Sequence, residues 1–283
     1  MPARMLDMFP QRVRLPLIIV ASVVVLVGVG LLVWALSNPE GVRHSGAQPG
    51  EPSVTPTLTA EPVKPVLRPG EIVATIKGEE VQVFDAPGGK RTHTLDKWSE
   101  ATFATLTLLT VEKQDVNGEE WLRVMLPMQP NQSTGWIKAS EVTTTTTKAR
   151  IDIYIAEREL ELWDGEELIL TAPVALGAPE TPTPPGLYSI TDPLDTTHNM
   201  TGVYGAFALG LSGFSEVLKT FDGAPPQLAI HGTNTPDLIG QYVSNGCIRM
   251  YNEDILTVVD HTNLGTPVHI YASRAAVAAE LAA

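Results

Sequence analysis

"IHGTNTPDLIGQYVSNGCIRM", residues 230–250, holds the only cysteine of a 283-residue chain, Cys247, with His231 sixteen positions before it. The run leaves an apolar segment, passes through glycine and polar residues, and returns to Ile248 and Met250. It reads as a strand end, a loop and a return. A lone cysteine has two readings, a small buried hydrophobe or a reactive thiol. It cannot form an intramolecular disulfide. With His231 it offers only two ligands to a zinc ion, so neither a metal nor another cofactor is expected.

The reactive reading has specific requirements. Thiolate is the nucleophilic form, and only a few per cent of an unperturbed thiol is ionised at neutral pH. A histidine within reach can take the proton, and His231 is the candidate base. Glycine beside a nucleophile lets a substrate carbonyl approach the backbone, a role open to Gly246 and Gly232, which otherwise serve turns. The N–H groups of Gly246 and Cys247 are candidate oxyanion donors. Arg249 lies two residues after Cys247, so in an extended segment both side chains share a face. Its guanidinium suits a substrate carboxylate in a two-pronged pair, or a structural ion pair in an acidic protein.

Working outward, the chain is 43% hydrophobic with a formal net charge of -13. The apolar content supports a buried core. The charge argues against nucleic acid as a partner, because phosphate binding needs basic patches. Residues 15–36, "LPLIIVASVVVLVGVGLLVWAL", carry no charge. At ~1.5 Å per residue a helix of this length covers ~33 Å, enough for a bilayer core. Arg4, Arg12 and Arg14 precede it, so residues 1–14 are expected in the cytoplasm and the rest outside the membrane. A long cleaved signal is the competing reading. Residues 37–70 hold seven prolines among Ser, Thr and Gly, the composition of a semi-extended spacer.

From 71 to 142 the pattern turns to short strands, with a hairpin signal at Asn117-Gly118 and with Trp121 and Trp136 as core candidates. Such a set suggests a small β-barrel resembling a bacterial SH3-like module. The threonine run 143–147 reads as a second linker or as an exposed strand end. From 149 to 272 the chain is again mainly β. Ile151, Ile153 and Ile155 share one face, and Leu160 and Leu162 share another. Asp164-Gly165 signals a hairpin. The Gly- and aromatic-rich run 202–218 is expected against the site, Asn252 is a candidate cap for one short helix, and "TPVHIYA" is a last strand. The tail 273–283 is helix-prone but too short to hold a helix alone.

With these residues in view, the segment resembles the L,D-transpeptidase family of bacterial cell-wall enzymes, the YkuD-like domain. The likeness rests on His231-Gly232-Thr233, a spacer, then Ser244-Asn245-Gly246-Cys247-Ile248-Arg249-Met250. It extends upstream through "LELWDGEELILTAPVALGAPETPTPPGLYSI" and covers roughly 150–272. The resemblance implies a β-sandwich in which Cys247 attacks the amide between the third residue and D-Ala of a peptidoglycan stem peptide. D-Ala leaves, a thioester remains, and an amine of a second stem resolves it into a 3→3 cross-link. It matches His231 to the base and the Gly232 carbonyl to that base's partner, and it places Ser244 and Asn245 in the substrate-binding loop. Asn245 stands where the family usually has histidine. It cannot titrate, but its amide can orient a loop or a substrate carbonyl. The expected protein is a single-pass, membrane-anchored transpeptidase facing the wall. The alternatives are an L,D-carboxypeptidase using the same site and a non-catalytic wall-binding protein.

Overall fold

The computed structural model describes residues 71–221 and 223–281. The expected cytoplasmic segment, apolar span and proline-rich spacer lie outside the described residues. Among those described, no helix is long and apolar enough to cross a membrane.

Seven antiparallel strands come first: β1 (Glu71–Ile76), β2 (Glu80–Phe84), β3 (Arg91–Asp96), β4 (Thr107–Val116), β5 (Glu119–Met125), β6 (Thr134–Lys138) and β7 (Val142–Thr147). Their spatial order is β3-β2-β6-β5-β4-β1-β7. Period-2 patterning puts Ala74, Ile76, Val81, Val83, Leu122 and Val124 into one apolar cluster. Trp121 and Trp136 are buried as expected. The β4–β5 hairpin turns at Asn117 and Gly118, both at positive φ, the backbone that an Asn-Gly pair adopts at least cost. The threonine run is β7, paired along its length with β1. The strand-end reading therefore holds over the linker reading: four of the five threonines are exposed on an edge strand, where β-branched polar side chains favour extended backbone.

The second set is β8 (Ala149–Tyr154), β9 (Glu159–Asp164), β10 (Glu167–Pro173), β11 (Leu176–Gly177), β12 (Gly186–Asp195), β13 (Phe207–Phe214), β14 (Gln227–His231), β15 (Tyr242–Ser244), β16 (Ile248–Arg249), helix α1 (Asn252–His261), β17 (Pro267–Tyr271) and helix α2 (Arg274–Leu281). Eight strands run β10-β9-β8-β17-β12-β13-β14-β16, and β11 pairs β15 separately. The β8–β17 and β14–β16 pairs are parallel. One core draws Ile151, Leu160 and Leu162 from the first half of this sheet, Leu209, Leu228 and Ile230 from the second, and Ile255 and Val258 from α1. The two faces expected of a sandwich are thus halves of one sheet meeting at β12.

One local detail differs from the sequence reading, and two others lie beyond it. The β9–β10 loop is Gly165-Glu166, since Asp164 pairs Glu167, one residue later than expected. The polar positions of β8 and β9 are not solvated: Asp152 and Glu161 are buried. Arg150 pairs Asp152 at 3.0 Å and Arg274 pairs Glu161 at 2.8 Å, with the Arg274 guanidinium 4.0 Å over the Tyr154 ring. The Arg274 contacts, with a further Arg274–Glu159 pair, also dock α2, which supplies from tertiary structure what a helix of this length lacks alone.

The two sheets touch through specific polar contacts. Asn131 donates to the Phe214 carbonyl and accepts from its N–H, both at 2.8 Å. Gln132 accepts the Leu187 N–H at 3.1 Å. Val73, Leu109, Met125 and Leu187 form a small apolar cluster between them.

Candidate active site

His231 ends β14, and Cys247 immediately precedes β16. The parallel register sets Ile230 beside Ile248 and His231 beside Arg249. Ile230, Ile248 and Met250 turn into the core. Alternation then sends His231, Cys247 and Arg249 to the opposite face of the sheet. The sixteen-residue separation is therefore closed by strand pairing.

The Nδ1 of His231 lies 2.6 Å from the Gly232 carbonyl oxygen. A carbonyl carries no proton, so Nδ1 must be the donor, and a neutral ring then presents Nε2 as a free lone pair. His231 is buried and packs edge-on against Tyr204, centroids 5.2 Å apart. Burial pushes its pKa down to about 4; the Gly232 carbonyl opposes this and the Arg249 charge adds to it. Cys247 is half-buried. Burial pushes the thiol pKa up, against the Ala229 N–H and the Arg249 charge, which act to lower it. Both shifts favour the neutral thiol and the neutral imidazole at rest, because each ionised form loses hydration here.

The loop before Cys247 is held by side chains that the sequence reading left in the background. Thr183 accepts the Gly177 N–H at 2.9 Å and donates to the Gly246 carbonyl at 2.8 Å. Thr181 donates to the Ser244 carbonyl at 2.9 Å, which also accepts the Ala178 N–H. The two threonines of "TPTP" therefore clamp residues 244–246, and their alternation with prolines was the available signal. Gly246 sits at φ +111°, a conformation that a side chain would strain.

Two expected roles change. The Gly246 N–H donates to the Ser244 hydroxyl at 3.1 Å, so it is not an open oxyanion donor. The Cys247 N–H has no partner among the described residues and remains the backbone candidate. Ser244 is buried, and its hydroxyl donates to the Cys247 carbonyl at 2.6 Å. It shapes the turn. Asn245 is exposed and makes no hydrogen bond among the described residues. Arg249 forms no ion pair among them, and its buried Nε lacks a partner.

Asn252 is the other residue misread. The helix begins at Asn252, with Tyr251 as the capping position and no side-chain cap bond. The Asn252 Oδ1 instead accepts the Ala206 N–H at 3.0 Å and the Thr233 N–H at 3.1 Å. It stitches the loop after His231 to the segment carrying Tyr204. A Cβ on Gly232 would lie 2.3 Å from that oxygen, so Gly232 is needed for this contact and its carbonyl for His231.

A sheet face carrying a thiol, an imidazole with one free lone pair, an unpartnered guanidinium N–H and an open backbone N–H is suited to acyl transfer through a thioester. The YkuD L,D-transpeptidase catalytic domain matches residues 148–270. A Bacillus licheniformis relative, named L,D-transpeptidase YkuD by assignment, is 36% identical over 125 residues, covering 44% of this chain and 67% of the relative. The Bacillus subtilis protein of the same name is 34% identical over the same shares. The chain belongs to the YkuD family of L,D-transpeptidase catalytic domains. Among solved structures, an L,D-transpeptidase from Mycobacterium smegmatis aligns over 60% of this chain and 92% of its own, at 13% identity and a TM-score of 0.37, a likeness too loose to argue from.

Proposed function

We propose that this protein is a membrane-anchored peptidoglycan L,D-transpeptidase that forms 3→3 cross-links through a Cys247 thioester. The supporting observation is the tautomer fixed at His231: with Nδ1–H bonded to Gly232, Nε2 is the proton acceptor on the face that carries Cys247. Because both groups rest neutral, proton transfer accompanies attack. As the sulfur bonds to the stem carbonyl carbon, its proton passes to Nε2. The oxyanion is met by the Cys247 N–H, an interaction worth about 3–4 kcal/mol in acyl-transfer sites. The carbon–nitrogen bond to D-Ala then breaks, and the imidazolium proton leaves with the amine. An amine of a second stem attacks the thioester and gives its proton to Nε2. The carbon–sulfur bond breaks, and the thiol is restored.

Arg249 serves this reading as the anchor for a stem carboxylate, and Asn245 as an exposed amide for a substrate carbonyl. The first sheet serves as the SH3-like module, and residues 15–36 as the single anchor that places the catalytic domain on the wall side of a bacterial membrane. Intact-mass spectrometry with a carbapenem tests the nucleophile. A covalent adduct is expected that vanishes in Cys247→Ala and drops sharply in His231→Ala. No adduct on folded protein points to a wall-binding role. Incubation with a disaccharide tetrapeptide tests the acceptor: dimers support cross-linking, and tripeptide alone identifies an L,D-carboxypeptidase.

A further inference from the structure

A cavity of about 580 Å³ opens between the first sheet and the catalytic sheet, lined by Trp98, Met128, Asp192, Phe214 and Gln227 among others. It lies apart from Cys247 but on the same face of the catalytic sheet. Along β14, Leu228 and Ile230 enter the core, so Gln227, Ala229 and His231 share the other face. Across the sheet, Ala229 pairs Gly210 and Gly210 pairs Asp192. The β14–β16 register places Cys247 on the far side of Ala229. Cys247, Ala229, Gly210 and Asp192 therefore form a row spanning three strand spacings of ~4.8 Å, roughly 14 Å in all. Ala229 and Gly210 separate Cys247 from Asp192 along this row, with the Gln227 amide against Gly210: a Cβ there would sit 2.8 Å from that of Asp192 and 3.1 Å from the Gln227 Nε2.

The lining indicates the ligand chemistry. It includes Asp96, Glu100 and Asp192 but no lysine or arginine. Asp192 is held by Thr102 at 3.0 Å and by Gln227 at 3.0 Å, which fixes the catalytic-sheet wall against the first-sheet wall. Trp98 is 46% exposed, with the Lys97 ammonium 5.0 Å over its ring. It begins a loop, closed by the Trp98–Thr105 bridge, that also presents Phe103, 75% exposed at φ +56°. Aromatic plates, amides and carboxylates, with the nearby Lys97 ammonium paired to Glu79, suit a neutral, polyhydroxylated ring, whose C–H faces stack and whose hydroxyls donate. An anionic ligand is disfavoured. The spacing also fits: three extended stem residues span roughly 10–11 Å, and the link to the sugar adds a few ångströms.

We propose that this cavity is a subsite for the amino-sugar strand that carries the stem peptide, which sets the substrate as glycan-linked stem rather than free peptide. The inference rests on the transpeptidase reading and is tested separately from it. The probe is the β-1,4-linked N-acetylglucosamine tetramer, titrated calorimetrically into the full chain. Saturable binding is expected, weakened about tenfold by loss of the stacking ring in Trp98→Ala and abolished by Ala101→Trp, a substitution at an exposed lining position that fills the cavity. Both variants should raise KM for a disaccharide tetrapeptide while leaving kcat, and KM for the sugar-free tetrapeptide, unchanged. No binding by the parent chain, binding indifferent to both variants, or an equal KM rise for the sugar-free tetrapeptide would overturn the subsite. Carbapenem acylation run alongside separates the two ideas. Acylation without sugar binding removes the subsite and leaves the enzyme. Sugar binding without acylation keeps the subsite and removes the transferase.

Discussion

Thr183 is the residue whose replacement should separate the clamp on the cysteine loop from the chemistry of the cysteine. It is 4% exposed, and its hydroxyl joins the Gly177 N–H to the Gly246 carbonyl. Thr183→Val keeps the shape and removes the oxygen, orphaning one buried donor and one buried acceptor. Each costs about 1–3 kcal/mol, so a loss of about 2–6 kcal/mol is expected. For a unit of this size each kcal/mol moves Tm by about 2–4 °C, giving a drop on the order of 10 °C. The same change frees the Gly246-Cys247 turn. A displacement near 1 Å at a nucleophile costs on the order of a hundredfold in rate, so carbapenem acylation should slow by roughly ten- to a hundredfold. Thr183→Ser retains the oxygen and should recover most of both losses. The assays are thermal denaturation and time-resolved intact mass. A Thr183→Val protein with parental Tm and parental acylation rate would refute the clamp, and equal damage in Thr183→Ser would show that the methyl group, not the hydroxyl, matters.

Other expectations follow from the same geometry. With His231 held down to about 4 and the Cys247 thiol pushed up, the acylation rate should rise through the His231 ionisation and then stay flat from about pH 5.5 to 8; a tenfold rise per pH unit across that range would instead indicate a free thiolate. Asn252→Ala orphans the Ala206 and Thr233 N–H groups and should cost about 2–4 kcal/mol in a denaturant titration, whereas Asn252→Asp keeps the acceptor; equal losses in the two would count against the stitch. Gly205 sits at φ +60°, and a Cβ there would lie 2.1 Å from the Asn252 Oδ1, so Gly205→Ala should lower stability and acylation together, and an unchanged protein would contradict the packing. Stability against pH should carry opposing slopes. His231 and His269 fall to about 4, so between pH 4 and 6.5 the unfolded chain binds the extra protons and stability rises with pH. Glu71 is raised to about 7, chiefly by burial, so between pH 4.5 and 7 the folded chain holds the extra proton and stability falls with pH. Glu71→Gln should steepen the rise in urea midpoint between pH 4.5 and 6.5, and an unaltered slope would count against a buried, protonated Glu71.

What the sequence determined by itself was whatever depends on neighbours along the chain. Alternation at Ile151, Ile153, Leu160 and Leu162 fixed the core faces of β8 and β9, and Asn117-Gly118 fixed a hairpin, because side-chain direction and turn backbone are local properties. The order His231-Gly232 to Ser244-Asn245-Gly246-Cys247 marked the candidate site, since the proposed nucleophile, its proposed base and a tight turn each demand a particular residue type. The tertiary structure alone decided the rest. The β14–β16 pairing closed the gap between His231 and Cys247 and placed Asp192 in the same row. Thr183, Asn252 and Ser244 acquired their roles from partners 63, 46 and 3 residues away, and a hydroxyl or an amide gives no sign of which distant group it will meet. The width of the neutral range was decided there as well: a cysteine and a histidine in water titrate near their ordinary values, and burial in the folded sheet pushes the histidine down and the thiol up.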